Sequence, residues 1–364
     1  MRDFSRVKRI VLKIGTNTLT KAGSVDTAYF NRIARQVKGL LEAGRQVVIV
    51  TSGAIGMGAD RLAAGSKIAD IKMRQACAAV GQPLLMQQWR KSFARHGVET
   101  AQVLVTADVL NNRKTYLNLR NAIEKLLALS VVPVLNENDS VSTEEIGSAF
   151  GDNDTLSALI ASKLDADLLI MLSDIDGLYD KDPRKFPGAV LVDTVYDITD
   201  RLLRTASGPG SRYGRGGMKT KLQAARIASG AGCSVVLAGG RQRSIISRIM
   251  SGSAVGTVFA PKRRLSNRAR WILNSAAAGM VIIDDGAMRA IGNKKSLLPS
   301  GITAVRGVFE AGSVVMLNDA AKAVISLGSS ELKALAGKHS SQIRTMLGSG
   351  RRDVAAVPED IVFL

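Results

Sequence analysis

The sequence predicts an α/β fold, a three-layer sandwich in which helices cover both faces of a mainly parallel central sheet, followed by a small, mostly-β module. Two observations predict the sheet. Apolar, β-branched runs of strand length alternate with helical patterns, and these runs are apolar throughout, which is typical of strands buried on both faces. A third observation predicts the module, because the runs after the basic stretch 261–271 become short and are bounded by glycine.

The first part of the chain alternates between the two patterns from its beginning. Apolar side chains at helical spacing between Phe30 and Leu41 indicate a helix after the first strand. The strand-like runs are RIVLKIG (9–15), QVVIVTSGAIGMG (46–58), AQVLVT (101–106), VVPVLNEND (131–139), DLLIMLSD (167–174), SVVLAGG (234–240) and TVFAP (257–261). The other helical patterns cover 68–93, 113–129, 154–164, 217–230 and 241–250.

The C-terminal part contains only short strand-like pieces, which predict a separate domain. These are GMVIIDDGAMRAI (279–291), GITAVRG (301–307), GSVVMLND (312–319) and KAVISLG (322–328). We therefore predict a first domain at 1–261, a linker at 262–275 and a second domain at 276–364.

Composition places the chain among globular proteins of the cytoplasm. Its 364 residues are 46% hydrophobic and 22% charged, and no apolar run approaches the ~20 residues that span a bilayer. The first residues read as a strand rather than a signal peptide. Cys77 and Cys233 are the only cysteines, so a disulfide framework and a cysteine zinc site are excluded and buried thiols are expected.

The net charge of +19 is high and is spread along the chain rather than gathered in one tail. Such a charge suits nucleic acid as a partner, and it equally suits the steering of anionic substrates into a cleft. Aromatic residues make up only 4%, so platforms for stacking bases are scarce. Charge alone therefore supports nucleic-acid binding only weakly.

Polar residues directly after the apolar runs are the candidate ligand contacts, because parallel α/β sheets bind ligands at the carboxyl ends of their strands. Lys13 lies inside the first run, where a lysine is unfavourable unless it is paired or faces a polar cleft, so it is a candidate phosphate ligand. An edge lysine that reaches solvent is the alternative. Ser52 and Gly53 lie within the second run, where the pattern predicts that a strand ends and a helix begins. Such a junction suits anion binding by backbone N–H groups as well as ordinary helix capping.

Two clusters of acids and amides follow the next strands. NENDS (136–140) suits recognition of a substrate amine or a metal, and GDND (151–154) opens a helix, where Asn153 can also be a simple cap. After the fifth run, LSDIDGLYDKDPR (172–184) supplies Ser173 and Asp174 but lacks the glycine and terminal glutamate of an EF-hand loop. Clusters at neighbouring strand ends exceed what capping requires and indicate a ligand site.

A glycine-rich basic stretch, GPGSRYGRGGMKTK (208–221), leads into the helical pattern at 217–230. Such loops often bind phosphate through free backbone N–H groups and the positive end of the helix dipole. The P-loop pattern does not fit, because residue 212 is not glycine and Lys219 does not directly follow Gly217. A nucleotide site of another kind and a mobile surface loop both stay open for this stretch.

The inventory of side chains disfavours several classes of enzyme. The only histidines, His96 and His339, lie outside the clusters, which argues against triad hydrolases and histidine-ligated zinc enzymes. The glycines of TSGAIGMG lack the order of a dinucleotide fingerprint, which argues against dehydrogenases. The remaining lysines, glycines and carboxylates suit phosphoryl transfer, in which a protein mainly positions groups and stabilises charge.

Together these motifs resemble the bacterial glutamate 5-kinases, a family of the amino-acid kinase superfamily. The resemblance rests, in chain order, on KIGTNTLT, VTSGAIGMG, PVLNENDSV, FGDNDTLSA, SDIDGLYDKDPR and GGMKTKLQAA. It continues into GNKKSLLPSGI and the strands after it, which resemble the family's C-terminal PUA domain, so it covers nearly the whole chain. It implies the amino-acid kinase fold and ATP-dependent phosphorylation of the side-chain carboxylate of L-glutamate to L-glutamyl 5-phosphate, the first step of proline biosynthesis.

The resemblance also implies a role for each candidate residue. Lys13 and Lys221 match the family's catalytic, phosphate-contacting lysines, and Asp154 matches the acid that orients them. The positions that match its glutamate contacts are Ser52, Asp139 and Asn153. The positions that match its ATP contacts are Lys13, Ser173, Asp174, Arg215, Gly216, Gly217, Met218, Lys219, Thr220 and Lys221.

Two of these residues depart from the family's pattern. Arg215 stands where the family usually has a small residue such as threonine, and Lys219 replaces a small polar residue. We expect Arg215 to be exposed, while Lys219 suits either exposure or direct contact with phosphate.

Cofactors and partners follow from the resemblance as well. It implies ATP as co-substrate and Mg²⁺ held mostly by the nucleotide and water, without a protein metal site. It further implies feedback binding of proline, a homo-oligomer and handover of the product to glutamyl phosphate reductase. No membrane partner is expected.

Two alternatives rank below this interpretation. An RNA-binding module fits the basic charge and the PUA-like tail, but the kinase motifs are too complete for a degenerate domain. Another kinase of the superfamily, acting on aspartate, acetylglutamate, carbamate or a nucleoside monophosphate, is the second, because a few loop contacts decide the substrate in one fold.

Overall fold

The chain folds into two units, Met1–Arg264 and Leu265–Leu364. The division falls inside the predicted linker 262–275, where Asn267–Asn274 is a helix assigned to the second unit rather than extended chain. The fold is described from a computed structural model, which covers residues 2–21, 24–63, 70–141, 153–205, 217–262, 266–338 and 354–364.

Strands and helices alternate along the first unit. Its described strands are β1 (Arg9–Ile14), β2 (Thr20–Lys21), β3 (Ser24–Val25), β4 (Gln46–Thr51), β5 (Thr100–Val105), β6 (Val132–Glu137), β7 (Leu168–Ser173), β8 (Thr194–Val195), β9 (Ser234–Gly239) and β10 (Thr257–Phe259). Its described helices are α1 (Thr16–Leu19), α2 (Thr27–Glu42), α3 (Ala54–Arg61), α4 (Ile71–Ala94), α5 (Ala107–Asn111), α6 (Arg113–Ala128), α7 (Asn153–Lys163), α8 (Asp200–Thr205), α9 (Met218–Gly230) and α10 (Ile245–Met250).

Eight of these strands form one sheet in the order β5-β6-β4-β1-β7-β9-β10-β8. Neighbours pair in parallel except β9 and β10, which are antiparallel. The mainly parallel sheet that the sequence predicts is therefore confirmed. β1 lies in the interior of the sheet, between β4 and β7. Its carboxyl end is therefore in the middle of the sheet edge at which parallel α/β sheets commonly bind ligands.

Helices cover both faces of this sheet. Successive residues of a strand point to opposite faces, and those of β1 belong to two separate cores. Ile10 and Leu12 pack with side chains of α2 and α4, whereas Val11 packs with side chains of α7 and α9. Lys13 has the same parity as Val11, so it faces α7 and α9.

The second apolar run, 46–58, contains a strand and the beginning of a helix, and Ser52 and Gly53 lie at the junction between them. β4 ends at Thr51 and α3 begins at Ala54. Gly53, between them, has a φ of 107°, a left-handed conformation that side chains disfavour. The glycine therefore turns the chain sharply, and the apolar residues beyond it become one face of a helix.

α3 and α4 touch through their backbones. A Cβ atom at Gly58 would lie 1.8 Å from the carbonyl oxygen of Cys77, and one at Gly81 would lie 1.8 Å from the carbonyl oxygen of Ala54. The two glycines are thus required for this close approach.

In its described residues, the second unit contains a five-stranded sheet and three α-helices. Its elements are α11 (Asn267–Asn274), β11 (Met280–Ile283), α12 (Asp285–Gly292), β12 (Ile302–Arg306), β13 (Val314–Leu317), β14 (Ala321–Val324), α13 (Ser329–Leu335) and β15 (Ile361–Phe363). The strand order is β12-β11-β13-β14-β15. The apolar piece 279–291 again divides into strand and helix, because Asp284 accepts a hydrogen bond from the backbone N–H of Ala287 and so caps α12.

The cysteines and the helix lengths agree with the composition. Cys77 and Cys233 are buried and form no disulfide bond. Among the helices described above, none is long and apolar enough to cross a membrane.

Candidate active site

Two lysines converge on one buried carboxylate beyond the carboxyl end of β1. Lys13 Nζ lies 2.5 Å from Asp154 Oδ1, and Lys221 Nζ donates a hydrogen bond to Asp154 Oδ2 at 3.0 Å. The three residues are 5%, 0% and 7% exposed. Because β1 is an interior strand, the alternative of an edge lysine at position 13 does not hold.

One strand of the sheet and two helices that pack on the same face of it bring these charges together. β1 carries Lys13, Asp154 is the second residue of α7, and Lys221 is the fourth residue of α9. Gly15 keeps the space beside Lys13 open, because a Cβ atom there would lie 3.5 Å from Lys13 Nζ.

The lysine–carboxylate cluster has a formal charge of +1 in a buried place. A carboxylate between two ammonium groups offsets their repulsion and holds both at fixed positions, but it neutralises only one of them. The remaining positive charge favours an anionic group at this point, and its strength is increased by the low local dielectric constant. The cluster can therefore stabilise negative charge on a transferring phosphoryl group.

An amide network lies next to this cluster. Asn153 Nδ2 donates to the Thr51 carbonyl oxygen at 2.9 Å, to Ser52 Oγ at 2.8 Å and to Asn136 Oδ1 at 3.0 Å. Asn153 Oδ1 is buried and has no donor within the described part of the chain. The structure thus brings Ser52 and Asn153 together, with a polar oxygen that a ligand can satisfy.

The carboxyl end of β7 supplies a second group of polar side chains. Ser173 Oγ donates to Asp174 Oδ1 at 2.9 Å, and Asn17 Nδ2 donates to Asp174 Oδ2 at 2.8 Å. Burial would raise the pKa of Asp174, but these two hydrogen bonds, one from its own backbone N–H and the charge of Lys221 together hold that pKa below its ordinary value. Asp174 is therefore ionised at neutral pH and linked electrostatically to the lysine–carboxylate cluster.

The beginning of α9 forms the third part of the site. Gly217 occupies the N-cap position and supplies no capping side chain, while Thr220 Oγ1 donates to the Gly217 carbonyl oxygen at 2.9 Å. Met218 is half-buried and Lys219 is exposed. Backbone N–H groups at such a helix start suit an anion. Arg215 and Gly216 lie outside the described residues, so the expectation for Arg215 stays a prediction.

A pocket of about 260 Å³ is lined by residues of α3, α4 and β5 and by residues at and after the end of β6. We call it the Gln82 pocket. It is lined by Ala54, Ala78, Gln82, Leu104, Glu137 and Asp139, among others. The candidate residue Asp139 is thus part of a concave site whose wall includes the first residue of α3, two positions after Ser52.

The described carboxylates do not form a metal cage. No group of three or more His, Cys, Asp or Glu side chains in the described ranges has the arrangement needed to hold a metal ion.

Comparison with known proteins agrees with this geometry. Residues 8–239, more than half of the chain, match the model of the amino acid kinase family. The chain belongs to the amino acid kinase family. Residues 279–347 match the model of the PUA domain.

Full-length relatives of this amino acid kinase occur in archaea and bacteria. The glutamate 5-kinase of Methanosarcina mazei is 45% identical over 99% of this chain and 97% of its own length. The glutamate 5-kinase of Myxococcus xanthus is 43% identical over 98% of this chain and 96% of its own length. The sequence motifs were expected to resemble bacterial glutamate 5-kinases, and the relatives do not confirm that the resemblance is limited to bacteria.

A solved structure shares the fold of this amino acid kinase. The UMP kinase from Bacillus anthracis has a TM-score of 0.50 and 14% identity over 71% of this chain and 98% of its own. At this identity the likeness concerns the fold alone, and it agrees with the three-layer sandwich that the sequence predicts.

Sequence reasoning missed three polar residues of the amino acid kinase site. Asn136 and Asn17 lie within the quoted motifs NENDS and KIGTN, but nothing in those motifs shows what their side chains bind. Gln82 has a clearer signal, because it lies on the buried face of α4 with Ala78, Leu85 and Trp89. A polar residue in an apolar stripe at helical spacing indicates a hydrogen-bonded or functional position.

Proposed function

We propose that the protein transfers the γ-phosphoryl group of ATP to the side-chain carboxylate of L-glutamate and so forms L-glutamyl 5-phosphate, the first step of proline biosynthesis from glutamate. The observation that carries the proposal is the buried lysine–carboxylate cluster at the carboxyl end of β1, beside an amide network. The full-length similarity to glutamate 5-kinases supports the choice of acceptor.

The chemistry requires no general base. A glutamate side chain is already ionised at neutral pH, so one of its oxygens attacks the γ-phosphorus directly while the bond from that phosphorus to the bridging oxygen of ADP breaks. Lys13 and Lys221 lie on either side of the transferring group and stabilise the charge that is shared between attacking carboxylate, phosphoryl group and leaving ADP. Asp154 holds both ammonium groups in place and is a positioning residue.

The acceptor is held by the residues after β4, after β6 and at the start of α7. Ser52 Oγ and Asn153 Nδ2 donate hydrogen bonds to the carboxylates of the substrate, and Asp139 pairs with the α-ammonium group. Asn153 Oδ1, which meets no donor among the described residues, favours a ligand group that donates a hydrogen bond at this point.

The nucleotide is held by the residues after β7 and at the start of α9. Ser173 and Asp174 contact the nucleoside side of ATP, and the segment from Arg215 to Lys221 contacts its phosphates through backbone N–H groups and Lys221. Lys219 is exposed and contributes long-range attraction rather than a fixed contact. Mg²⁺ brought in with the nucleotide would supply further neutralisation of the phosphate charge.

A coupled assay of ADP release tests the function. We expect release that depends on both L-glutamate and Mg²⁺, and little or none with L-aspartate, N-acetyl-L-glutamate, carbamate or UMP. Activity with carbamate or UMP in the absence of activity with L-glutamate would assign the protein to another member of the superfamily. The same assay with added L-proline tests feedback binding.

The remaining partners are part of the same proposal. We infer a cytoplasmic homo-oligomer that passes its labile acyl phosphate to a glutamyl phosphate reductase, and a first domain at 1–261 that carries the active site. RNA binding by the second domain is the runner-up, favoured by the net charge of +19. A gel shift with structured RNA tests it, and binding that is no stronger than nonspecific attraction at physiological salt argues against it.

A further inference from the structure

Gln82 lines the Gln82 pocket and carries a buried hydrogen-bond donor. The side chain is 8% exposed, and its Oε1 accepts a hydrogen bond from Asn136 Nδ2 at 2.8 Å. Its Nε2 is buried and has no acceptor within the described residues. A buried donor without an acceptor is destabilising, so a position of this kind is expected to meet a partner.

The hydrogen-bond network decides which end of the Gln82 amide carries the donor. Asn136 Oδ1 accepts from the backbone N–H of Glu137 at 3.0 Å and from Asn153 Nδ2, also at 3.0 Å. A backbone N–H can only donate, so the oxygen of Asn136 is assigned and its Nδ2 must point to Gln82. The Gln82 atom that faces Asn136 is then the oxygen, and the NH₂ group is the one left over.

Close packing of α3 on α4 holds Gln82 at this depth. Gly81, the preceding residue, contacts the backbone of Ala54, which also lines the pocket. The position of the Gln82 amide is therefore set by a rigid helix contact rather than by a loop.

The other walls of the pocket complement an amino acid. Glu137 and Asp139 supply negative charge for an ammonium group, and Ala54, Ala78 and Leu104 supply an apolar wall for a hydrocarbon chain. A volume of about 260 Å³ accommodates a molecule of that size. The Nε2 group of Gln82 can donate a hydrogen bond to the carboxylate of such an amino acid.

The amide network also gives the ligand a direction. Asn153 is the neighbour of Asp154 in the chain, Asn136 is one hydrogen bond beyond Asn153, and Gln82 is one hydrogen bond beyond Asn136. Gln82 is thus two hydrogen bonds away from Asn153, the neighbour of Asp154 in the chain. A bound glutamate with its reacting carboxylate at the lysines extends its α-carbon end toward the Gln82 pocket.

We propose that Gln82 is a specificity-determining residue, whose Nε2 donates a hydrogen bond to the α-carboxylate of the acceptor amino acid. The proposal rests on the function proposed above. It predicts that Gln82 selects acceptors that carry a carboxylate on the α-carbon, while taking no part in phosphoryl transfer itself.

Replacement of Gln82 by glutamate removes the NH₂ donor and keeps an acceptor oxygen. Gln82→Glu keeps an oxygen for Asn136 Nδ2 but replaces the NH₂ group with a second oxygen. We expect the KM for L-glutamate to rise about tenfold or more, since a hydrogen bond to a charged group is lost, while kcat and the KM for ATP stay within about threefold. Gln87→Glu, the same change at an exposed position of α4, is the matched control and should leave all three constants unchanged.

Binding measurements separate this role from a structural one. Calorimetric titration of L-glutamate should show the same loss of affinity in Gln82→Glu, and in Gln82→Met if the first variant does not fold. Wild-type protein should bind 4-aminobutanoate, which lacks the α-carboxylate, much more weakly than L-glutamate. Equal affinity for the two ligands would overturn the proposal, as would an unchanged KM for L-glutamate or an equal loss of kcat and glutamate affinity in the folded variants.

These experiments test the role of Gln82 separately from the proposed phosphorylation of L-glutamate. Absence of glutamate-dependent ADP release in the wild-type protein contradicts the function itself. Release by the wild-type protein together with an unaffected Gln82→Glu variant contradicts only the role of Gln82.

Discussion

Asp154 holds the catalytic geometry at the scale of single residues, because it contacts both ammonium groups of the lysine–carboxylate cluster. In Asp154→Asn the two buried cations repel each other without compensation. We expect kcat to fall by about a hundredfold or more and the protein to lose roughly 3–5 kcal/mol of stability. Turnover assays and thermal melting measure the two effects.

The same substitution at Asp165 is the control for Asp154→Asn. Asp165 pairs with Arg120 at the other end of α7, and its side chain is partly exposed. Asp165→Asn should leave kcat unchanged, although it too lowers stability because the pair with Arg120 is mostly buried. A kcat for Asp154→Asn within threefold of wild type would contradict the positioning role.

Asn17 is the residue whose effect depends on pH. Its hydrogen bond helps to hold the pKa of Asp174 below the ordinary value of 3.8. A carboxyl whose folded-state pKa is lowered stabilises the fold above its unfolded pKa, and this contribution is lost as the pH falls through the folded pKa. We therefore expect Asn17→Ala to be less stable than wild type at neutral pH and the difference to shrink below about pH 4.

Melting curves from neutral to acidic pH check the prediction for Asn17. In an Asp174→Asn background the Asn17→Ala change should lose its pH dependence, because the titrating group is absent. A difference between Asn17→Ala and wild type that is constant across the pH range would remove Asp174 as its cause.

At the scale of elements, the contact between α3 and α4 positions the acceptor side of the site. Gly81→Ala would place a Cβ atom 1.8 Å from the Ala54 carbonyl oxygen, so the helices must separate. We expect a loss of about 1–3 kcal/mol and a higher KM for L-glutamate, because the Gln82 pocket is built on this contact. Calorimetric melting and kinetics measure the two effects.

Gly56→Ala is the matched control for the helix contact. Gly56 lies on α3 two residues before Gly58, and a Cβ atom there would meet nothing within 4 Å. The added methyl group should stabilise the helix by up to about 1 kcal/mol. If Gly56→Ala and Gly81→Ala have the same effect, backbone contact between the helices is not what the glycines provide.

Element boundaries show where the sequence pattern was insufficient. The apolar piece 279–291 is strand-like in sequence, but the strand stops at Ile283 and a helix, α12, begins at Asp285. Short apolar runs fit the buried face of a helix as well as a buried strand. Asp284 makes the decision, because its side chain accepts a hydrogen bond from the backbone N–H of Ala287 and so caps α12.

At the scale of the whole molecule, the net charge of +19 predicts salt-dependent kinetics. The multiply charged ATP should be attracted over a longer range than the singly charged glutamate. We expect kcat/KM for ATP to fall more steeply with added KCl than kcat/KM for L-glutamate. Sucrose at the same osmolarity is the control, and equal salt dependence of the two substrates would argue against steering.

Most of the fold was predictable from the sequence because its strands are uniformly apolar and regularly spaced. The parallel sheet, the covering of both faces and the smaller second sheet follow from these patterns. The candidate site was predictable in part. Its polar residues come directly after strands, and strand ends meet at one edge of a parallel sheet.

The sequence by itself determined which residues are available at that edge, among them Lys13, Asp154 and Lys221. Only the tertiary structure decided that one carboxylate contacts both lysines, because the three residues belong to elements far apart in the chain that helix packing brings together. The same holds for Gln82. Its hydrogen bond to Asn136 joins α4 to β6, and that network fixes the orientation of each amide in turn, so the Gln82 NH₂ group is the one that meets no acceptor among the described residues.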